Sequence, residues 1–474
     1  WFGRLALVAS LLAPNLAMTM APISFATEEA LPLSAADALR LALNNSAKIK
    51  GAMALRQARN HEAQAQFSPF LPELGVTGAA GTRRGPLTEF EARDATLDEP
   101  GDIKDRNLYQ AEAKLKFNLF RGFADRSAWR AATATAQVAD AELDQARLEI
   151  GRELLITYFR ILTRERELEA EKEIYALRKT QLDNVKNRRG QGQATDLEVL
   201  EAQFAYQQQG PNIRRTESDL RIDVQRLLRL VGKEISTAVR LTDSLKDAGS
   251  VLDNNPMALA DLYELTLRQS PQLSHLAARQ TVLEEKRSQI TGQYYPTVDL
   301  EFIAASESQN RVDFGDEKHT TYTGQVVFNW TLFSGLSRAQ QSQALFQEQL
   351  AVTSDLQQRR EELLVELAQF GDRYRLAAEE ISAQQSNLAV ARERVKLAEQ
   401  NFSLGRATNE DVLDAYSDRL EAQKALAQAR LSRIEAYIEL RYRSGVPWQQ
   451  NLSATDAGGD SEKASPGSNQ GEKP

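Results

Sequence analysis

Gly192-Gln-Ala-Thr-Asp-Leu-Glu-Val-Leu-Glu-Ala202 and Gly405-Arg-Ala-Thr-Asn-Glu-Asp-Val-Leu-Asp-Ala415 are two versions of one phrase. Each sits at a Gly-marked break between two long stretches of helical period. An internal repeat of this kind constrains the architecture before any site is considered. Leu119-Phe-Arg-Gly122 and Leu332-Phe-Ser-Gly335 stand at the same separation as the two phrases. Upstream, Asp37, Leu43, Ser46, Ile49 and Pro72 match Asp261, Leu267, Ser270, Leu273 and Pro296 at a slightly larger, constant separation. The change points to an insertion in the first copy, and the polar, turn-rich stretch Gly85–Gly101 reads as that longer loop. Each copy is too long for a solenoid unit, so the reading is two domain-sized halves, about 27–255 and 256–447.

From Gly122 to about Arg188 there is no proline and one internal glycine, Gly151, in a background of Ala, Leu, Glu, Arg and Gln, all good helix formers. The spacing predicts long helices over 122–188 and 335–402, each spanning on the order of 100 Å. In the second, Leu363, Leu367, Phe370, Tyr374, Ala377, Ile381, Leu388, Ala391, Val395, Ala398 and Phe402 form a 3–4 seam of coiled-coil type, broken at Gln384. Leu154, Ile161, Leu168, Tyr175 and Leu182 lie on the equivalent seam of the first. Ala141, Leu148, Leu155 and Leu162 form a second row beside it, as in a helix with more than one neighbour. Return helices follow over about 196–230 and 409–442. Thr195-x-x-Glu198 and Thr408-x-x-Asp411 read as capping boxes at their starts. Gly210-Pro211 predicts a kink in the first return helix only. Two shorter helices are expected over about Ser34–Phe67 and Ala258–Gln293.

Between short and long helix the period switches from 3.6 to 2. Four strands are expected, over about 73–84, 106–119, 297–308 and 320–333, each with one apolar and one polar face. Tyr109, Ala111, Ala113, Leu115, Phe117 and Leu119 alternate with Gln110, Glu112, Lys114, Lys116 and Asn118. Roughly ten alternating residues is the pattern of a transmembrane β-strand, with Phe117, Phe120, Phe328, Trp330 and Phe333 as an aromatic belt facing lipid. The same alternation fits a half-buried sheet in water. Four strands cannot close a barrel, and open edges are not tolerated in lipid. Either several copies share one barrel, or the chain is not in a membrane.

The chain has 474 residues, a net charge of −8 and no cysteine. The acidic balance argues against nucleic acid as main partner. Disulfides, thiolate metal sites and a lipidated N-terminal Cys are excluded. His61, His275 and His319 are far apart, so no His-based metal or catalytic centre and no cofactor is expected. Residues 1–26 read as a signal peptide: Arg4, the apolar run Leu5–Leu12, and the small-x-small site Ser24-Phe-Ala26 before Thr27. Residues 448–474 end in a polar Gly/Ser/Pro-rich tail with little to bury, expected to be disordered.

Together these features resemble the TolC family of outer-membrane channel proteins. The resemblance rests on Phe67 or Phe70 before Pro72, Tyr294 and Tyr295 before Pro296, the Leu-Phe-x-Gly exit to each long helix, and the Gly-x-Ala-Thr tip. It implies a mainly α fold with a small transmembrane β part. Three protomers, a homotrimer, would share a twelve-stranded barrel, four strands per chain, continuing into a long periplasmic α-helical coiled-coil barrel. A mixed equatorial belt would draw on about Ile235–Asn255 and the residues after Trp448. The implied function is a passive exit duct of a tripartite export system, for type I protein secretion or multidrug efflux. Its partners would be a periplasmic adaptor protein, an inner-membrane ABC or proton-driven transporter and outer-membrane lipid. The alternative is a periplasmic coiled-coil adaptor protein, which would carry one hairpin in a β-rich chain, not two hairpins and four strands.

The resemblance also implies a pore gate. The family's tip acids fall on Asp411 and Asp414, with Glu198 as the first-half counterpart. Both Glu198 and Asp411 are also explained as capping-box acids, Glu198 more readily than Asp411; Asp414 has no capping role. The family's aromatic before the second turn falls on Phe402, which lacks the tyrosine hydroxyl of the type member. Its arginine falls on Ala407, with Arg406 one place earlier. Gly192, Ala194, Thr195, Gly405, Ala407 and Thr408 would form the adaptor-docking tip.

Overall fold

The computed structural model describes residues 31–86, 103–245, 259–308 and 320–448. The expected signal peptide, nearly all of the expected Gly85–Gly101 loop, the second half of Ile235–Asn255 and the tail beyond Trp448 lie outside the described residues.

Two helices of 67 residues dominate: α3 (Ala124–Gly190) and α7 (Ser337–Ser403). Each is followed by a return helix of 36 residues, α4 (Asp196–Val231) and α8 (Asn409–Ser444). Each is preceded by two successive left-handed residues, Gly122-Phe123 and Gly335-Leu336, with φ between 62° and 65°. For Phe123 and Leu336 that conformation is strained. It turns the chain sharply from strand into helix. Gly122 has a second reason to be glycine, since a Cβ there would stand 2.1 Å from the carbonyl oxygen of Gly292.

The short helical segments expected as single helices each divide in two. They form α1 (Ala35–Asn45) with α2 (Ala47–Ala65), and α5 (Leu259–Gln269) with α6 (Pro271–Gly292). Ser270 precedes Pro271, whose ring disfavours the helical conformation one residue earlier. At the first break no proline is present. There Gly232, the left-handed end of α4, abuts Asn45, leaving a Cβ only 2.9 Å from the Asn45 Cβ. Gly445, at the end of α8, meets Ser270 in the same way. Each return helix therefore docks its last turn on the break of a short helix. The expected interruption at Gly210-Pro211 does not divide α4, which runs through Pro211.

Two short strands, β1 (Leu31–Leu33) and β4 (Val239–Leu241), pair in parallel against the middle of α3. Tyr158, fully buried, holds them: its hydroxyl lies 2.9 Å from the Leu33 carbonyl and 2.8 Å from the Asp243 carboxylate. That carboxylate also accepts from the Ala35 N–H at 2.7 Å. Burial, and then the hydrogen bond to Asp243, push the Tyr158 hydroxyl well above its ordinary pKa. Around it lies the main core, where Leu154, Phe159 and Ile161 of α3 meet Leu39 of α1, Leu227 of α4 and Ile438 of α8.

The remaining strands, β2 (Glu73–Pro86), β3 (Ile103–Arg121), β5 (Thr297–Ser308) and β6 (Thr320–Asn329), form one antiparallel sheet in that order. The register aligns every apolar row. Leu115 stands opposite Leu74 and Phe302, and Phe302 opposite Gly324. Phe117 opposes Leu300, which opposes Val326. A bulge between Asn118 and Phe120 passes over Leu119 and brings Phe120 opposite Val298, on the face of Phe117. Strict alternation would have put Leu119 there. The last residues of the expected fourth strand, including Trp330 and Phe333, lie beyond the end of β6. On the other face Lys114 pairs with Glu301 at 2.9 Å and Lys116 with Asp299 at 3.0 Å. The apolar face is bare: Leu74 is 70% exposed and Phe328 62%. No helix among the described residues is long and apolar enough to cross a membrane.

Gly151, the one glycine inside α3, seats Trp448. A Cβ there would lie 2.2 Å from the indole nitrogen, which donates to the Leu148 carbonyl at 3.0 Å. Gly151→Ala raises helix propensity yet is expected to destabilise by about 1–3 kcal/mol through overpacking. A lowered melting temperature and a red shift of tryptophan emission check this; an unchanged spectrum would show that Trp448 is not displaced.

Candidate functional site

The two Gly-x-Ala-Thr turns close one end of the bundle, over a shared core of α3, α4, α7 and α8. Each is built from a helix stop and a helix start. Gly192 and Gly405 take left-handed φ of 74° and 72°. The Gly192 N–H donates to the Arg189 carbonyl at 2.9 Å, and the Gln193 N–H to Arg188 at 2.9 Å. Gly405 and Arg406 donate likewise to Phe402 and Asn401, at 3.0 and 2.8 Å. These are Schellman closures, which satisfy the last carbonyls of a helix and demand glycine at the left-handed position.

Just beyond each glycine the next helix is capped. Thr195 Oγ1 accepts from the Glu198 N–H at 3.2 Å, while Glu198 accepts from the Thr195 N–H at 2.6 Å. Thr408 and Asp411 repeat this at 3.2 and 2.7 Å. Both acids are thus committed to capping boxes. The Thr195 backbone N–H, then its hydroxyl, hold Glu198 below the ordinary carboxylate range; Thr408 does the same for Asp411. Arg189 adds an ion pair to Asp196 at 2.5 Å across the first turn.

The named residues divide by environment. Gly192, Thr195, Gly405, Arg406, Thr408, Asp411 and Asp414 are exposed at the tip. Ala194 and Ala407 tuck against the core formed by Val185, Ala202, Phe402 and Val412. Phe402 is only 8% exposed, with the Arg188 guanidinium 4.5 Å above its ring. It is a core residue of the tip within one chain. Asp414 has no side-chain partner among the described residues. At the opposite end, Phe117, Phe120 and Phe328 share the bare face of the sheet, and Trp330 donates to the Tyr294 carbonyl at 3.1 Å.

A buried polar layer behind the tip was not read from the sequence. Arg178 donates to the Ala205 carbonyl at 3.0 Å and to Ser417 Oγ at 2.9 Å, joining α3, α4 and α8. Burial lowers its pKa. Gln181 donates to Asn409 Oδ1 at 2.7 Å. The available signal was a polar residue at a seam position: Arg178 and Gln181 lie between the buried Ile174, Leu182 and Val185.

Residues 38–233 and 262–446 match the model of the outer membrane efflux protein family. The chain belongs to that family, whose members are transport channels, and it is an outer-membrane export channel protein. It is 24% identical over 440 residues to the proteases secretion protein PrtF of Dickeya chrysanthemi, covering 88% of this chain and 89% of that one. It is 22% identical over 425 residues to the outer membrane protein TolC of Vibrio cholerae, covering 88% and 92%. The crystal structure of CusC, described in terms of transmembrane channel formation, shares the fold with a TM-score of 0.77 at 13% identity, covering 86% and 91%. These comparisons carry the channel reading and not the adaptor alternative.

Thr195→Ala and Thr408→Ala each are expected to cost about 1 kcal/mol of tip stability. Because the Glu198 and Asp411 pKa values are depressed, their caps contribute fully at neutral pH, above the ordinary carboxylate pKa. The contribution declines as pH falls below that ordinary value and is gone once pH has fallen through the lowered values. Amide exchange in the first turns of α4 and α8, corrected for intrinsic rates, measures both. First turns whose protection does not change between neutral pH and a pH below the lowered values would contradict the caps.

Proposed function

We propose that three copies of the chain form one duct, each lending its four strands to a twelve-stranded barrel. The observation that carries this is the bare apolar face of a sheet whose outer strands, β2 and β6, pair with no further strand among the described residues. In lipid such edges must be satisfied, and pairing β2 of one copy with β6 of the next does so. Phe117, Phe120, Phe328, Trp330 and Phe333 then meet lipid. The helices extend into the periplasm, with the paired turns as the mouth. A duplicated chain, in halves 27–255 and 256–447, underlies this plan. The left-handed glycines among the described residues support the duplication: Gly122, Gly192 and Gly232 recur, at one constant separation, as Gly335, Gly405 and Gly445.

The duct serves a tripartite export system. A periplasmic adaptor docks on Gly192, Ala194, Thr195, Gly405, Ala407 and Thr408, and an inner-membrane pump feeds the tube. A relative named for protease secretion favours protein cargo over drugs. The gate is a ring of tip carboxylates. Asp411 serves it while bound in its cap, and Asp414 with its charge free. Phe402 acts through packing, by fixing α7 against α3, and Arg406 lies beside the ring. Like charges gathered on one axis attract cations.

Recovery from the outer membrane as a heat-labile trimer is the expected outcome, and a soluble monomer overturns the duct. In planar bilayers, Asp411→Ala with Asp414→Ala raises single-channel conductance and weakens block by divalent cations. Asp414→Asn, which leaves the cap intact, separates the charge from the fold. Unchanged conductance and block in all variants remove these residues from the gate.

A further inference from the structure

Midway along the bundle, far from both tips and sheet, a cleft of about 560 Å³ lies between α3, α7 and α8, flanked by Ser244 and Leu245 beyond β4. That is the size range of small-ligand sites. Its floor is apolar, from Leu245, Leu388 and Leu426, and its rim carries Arg166, Arg392 and Arg430. The acids of the rim are already committed: Glu169 accepts from Arg166 at 2.7 Å and Glu173 pairs with Arg419. Among the described residues, neither Arg392 nor Arg430 has an ion-pair partner. The Arg430 pKa is lowered by burial and then by the like charge of Arg166. A half-buried cation facing another cation is a standing penalty that an incoming anion removes. The cleft also holds a buried acceptor without a donor, Oε1 of Gln423. A peptide backbone N–H can supply that donor alongside a side-chain carboxylate.

We propose that this cleft binds an acidic peptide segment of a partner protein. One carboxylate side chain sits between Arg392 and Arg430, the adjoining backbone N–H donates to Gln423, and a neighbouring apolar side chain rests on Leu388 and Leu426. Guanidinium forks suit carboxylates geometrically, and the apolar floor separates a peptide from a free ion. The site stands apart from the gate and the docking tip, so its failure leaves the duct reading untouched.

The test uses full-length protein in non-ionic detergent and a fluorescein-labelled Leu-Glu-Leu peptide, read by anisotropy. Saturable binding is expected, at least tenfold tighter than for Leu-Gln-Leu with the same label, and weakened by salt. Arg392→Gln and Arg430→Gln, singly and together, should each reduce binding at least tenfold while melting temperature and channel conductance stay unchanged. Exposed Arg392 serves as the variant with least risk to folding. Equal binding of the two peptides, or no saturable binding, overturns the proposal. Displacement by inorganic phosphate at concentrations comparable to the acidic peptide also overturns it, assigning the site to a free anion.

Discussion

Each 67-residue helix has to stop cleanly and reverse, and one left-handed glycine at each end turn makes that possible. A helix terminus leaves carbonyls and N–H groups without partners. Here the Schellman closure at Gly192 and Gly405 satisfies the outgoing end. The Thr-acid box that follows satisfies the incoming one. With both ends paired internally, the turn stays tight and the two helices leave it already antiparallel. Any other residue at these glycines would carry a Cβ into an unfavourable backbone region, and the seam beyond would lose its register.

The same economy explains why the tip acids have two readings. Glu198 and Asp411 are where a helix start wants a carboxylate, whatever lies on the axis. Their depressed pKa values come from backbone and hydroxyl donors on the preceding threonine, so a shifted carboxylate here is first a fact about capping. Asp414, one turn on and free of such bonds, carries its charge outward. Behind it Arg178 and Gln181 interrupt an otherwise apolar seam and tie α3 to α8 by directed bonds. Buried polar groups of this kind specify which helices meet and in what register more than they add stability.

Much of this was legible because long periodic patterns average over many residues. The seam from Leu363 to Phe402, the repeated turns and the alternating strands all rest on dozens of side chains agreeing. What went unread were single-residue events. The bulge at Leu119 moves Phe120 onto the face of Phe117, and no alternation rule contains it. The break at Ser46 has no proline beside it and lies where Gly232 arrives from far along the chain, a meeting invisible to local propensity; the break at Ser270 was marked locally by Pro271. Pro211, expected to kink the first return helix, lies within a continuous α4.

By itself, then, the sequence determined the long helices and their return helices, the two hairpin tips with their caps, and most of the strand faces. These follow from local backbone chemistry and from periods that a chain carries without knowing its neighbours. Only the tertiary structure decided that Phe402 lies buried beneath Arg188, that Trp448 fills the space beside Gly151, and that Tyr158 anchors β1 and β4. It also decided which arginines lack a counter-charge. Each depends on two segments far apart in the chain reaching the same few ångströms, and close packing, unlike periodicity, is a property of pairs.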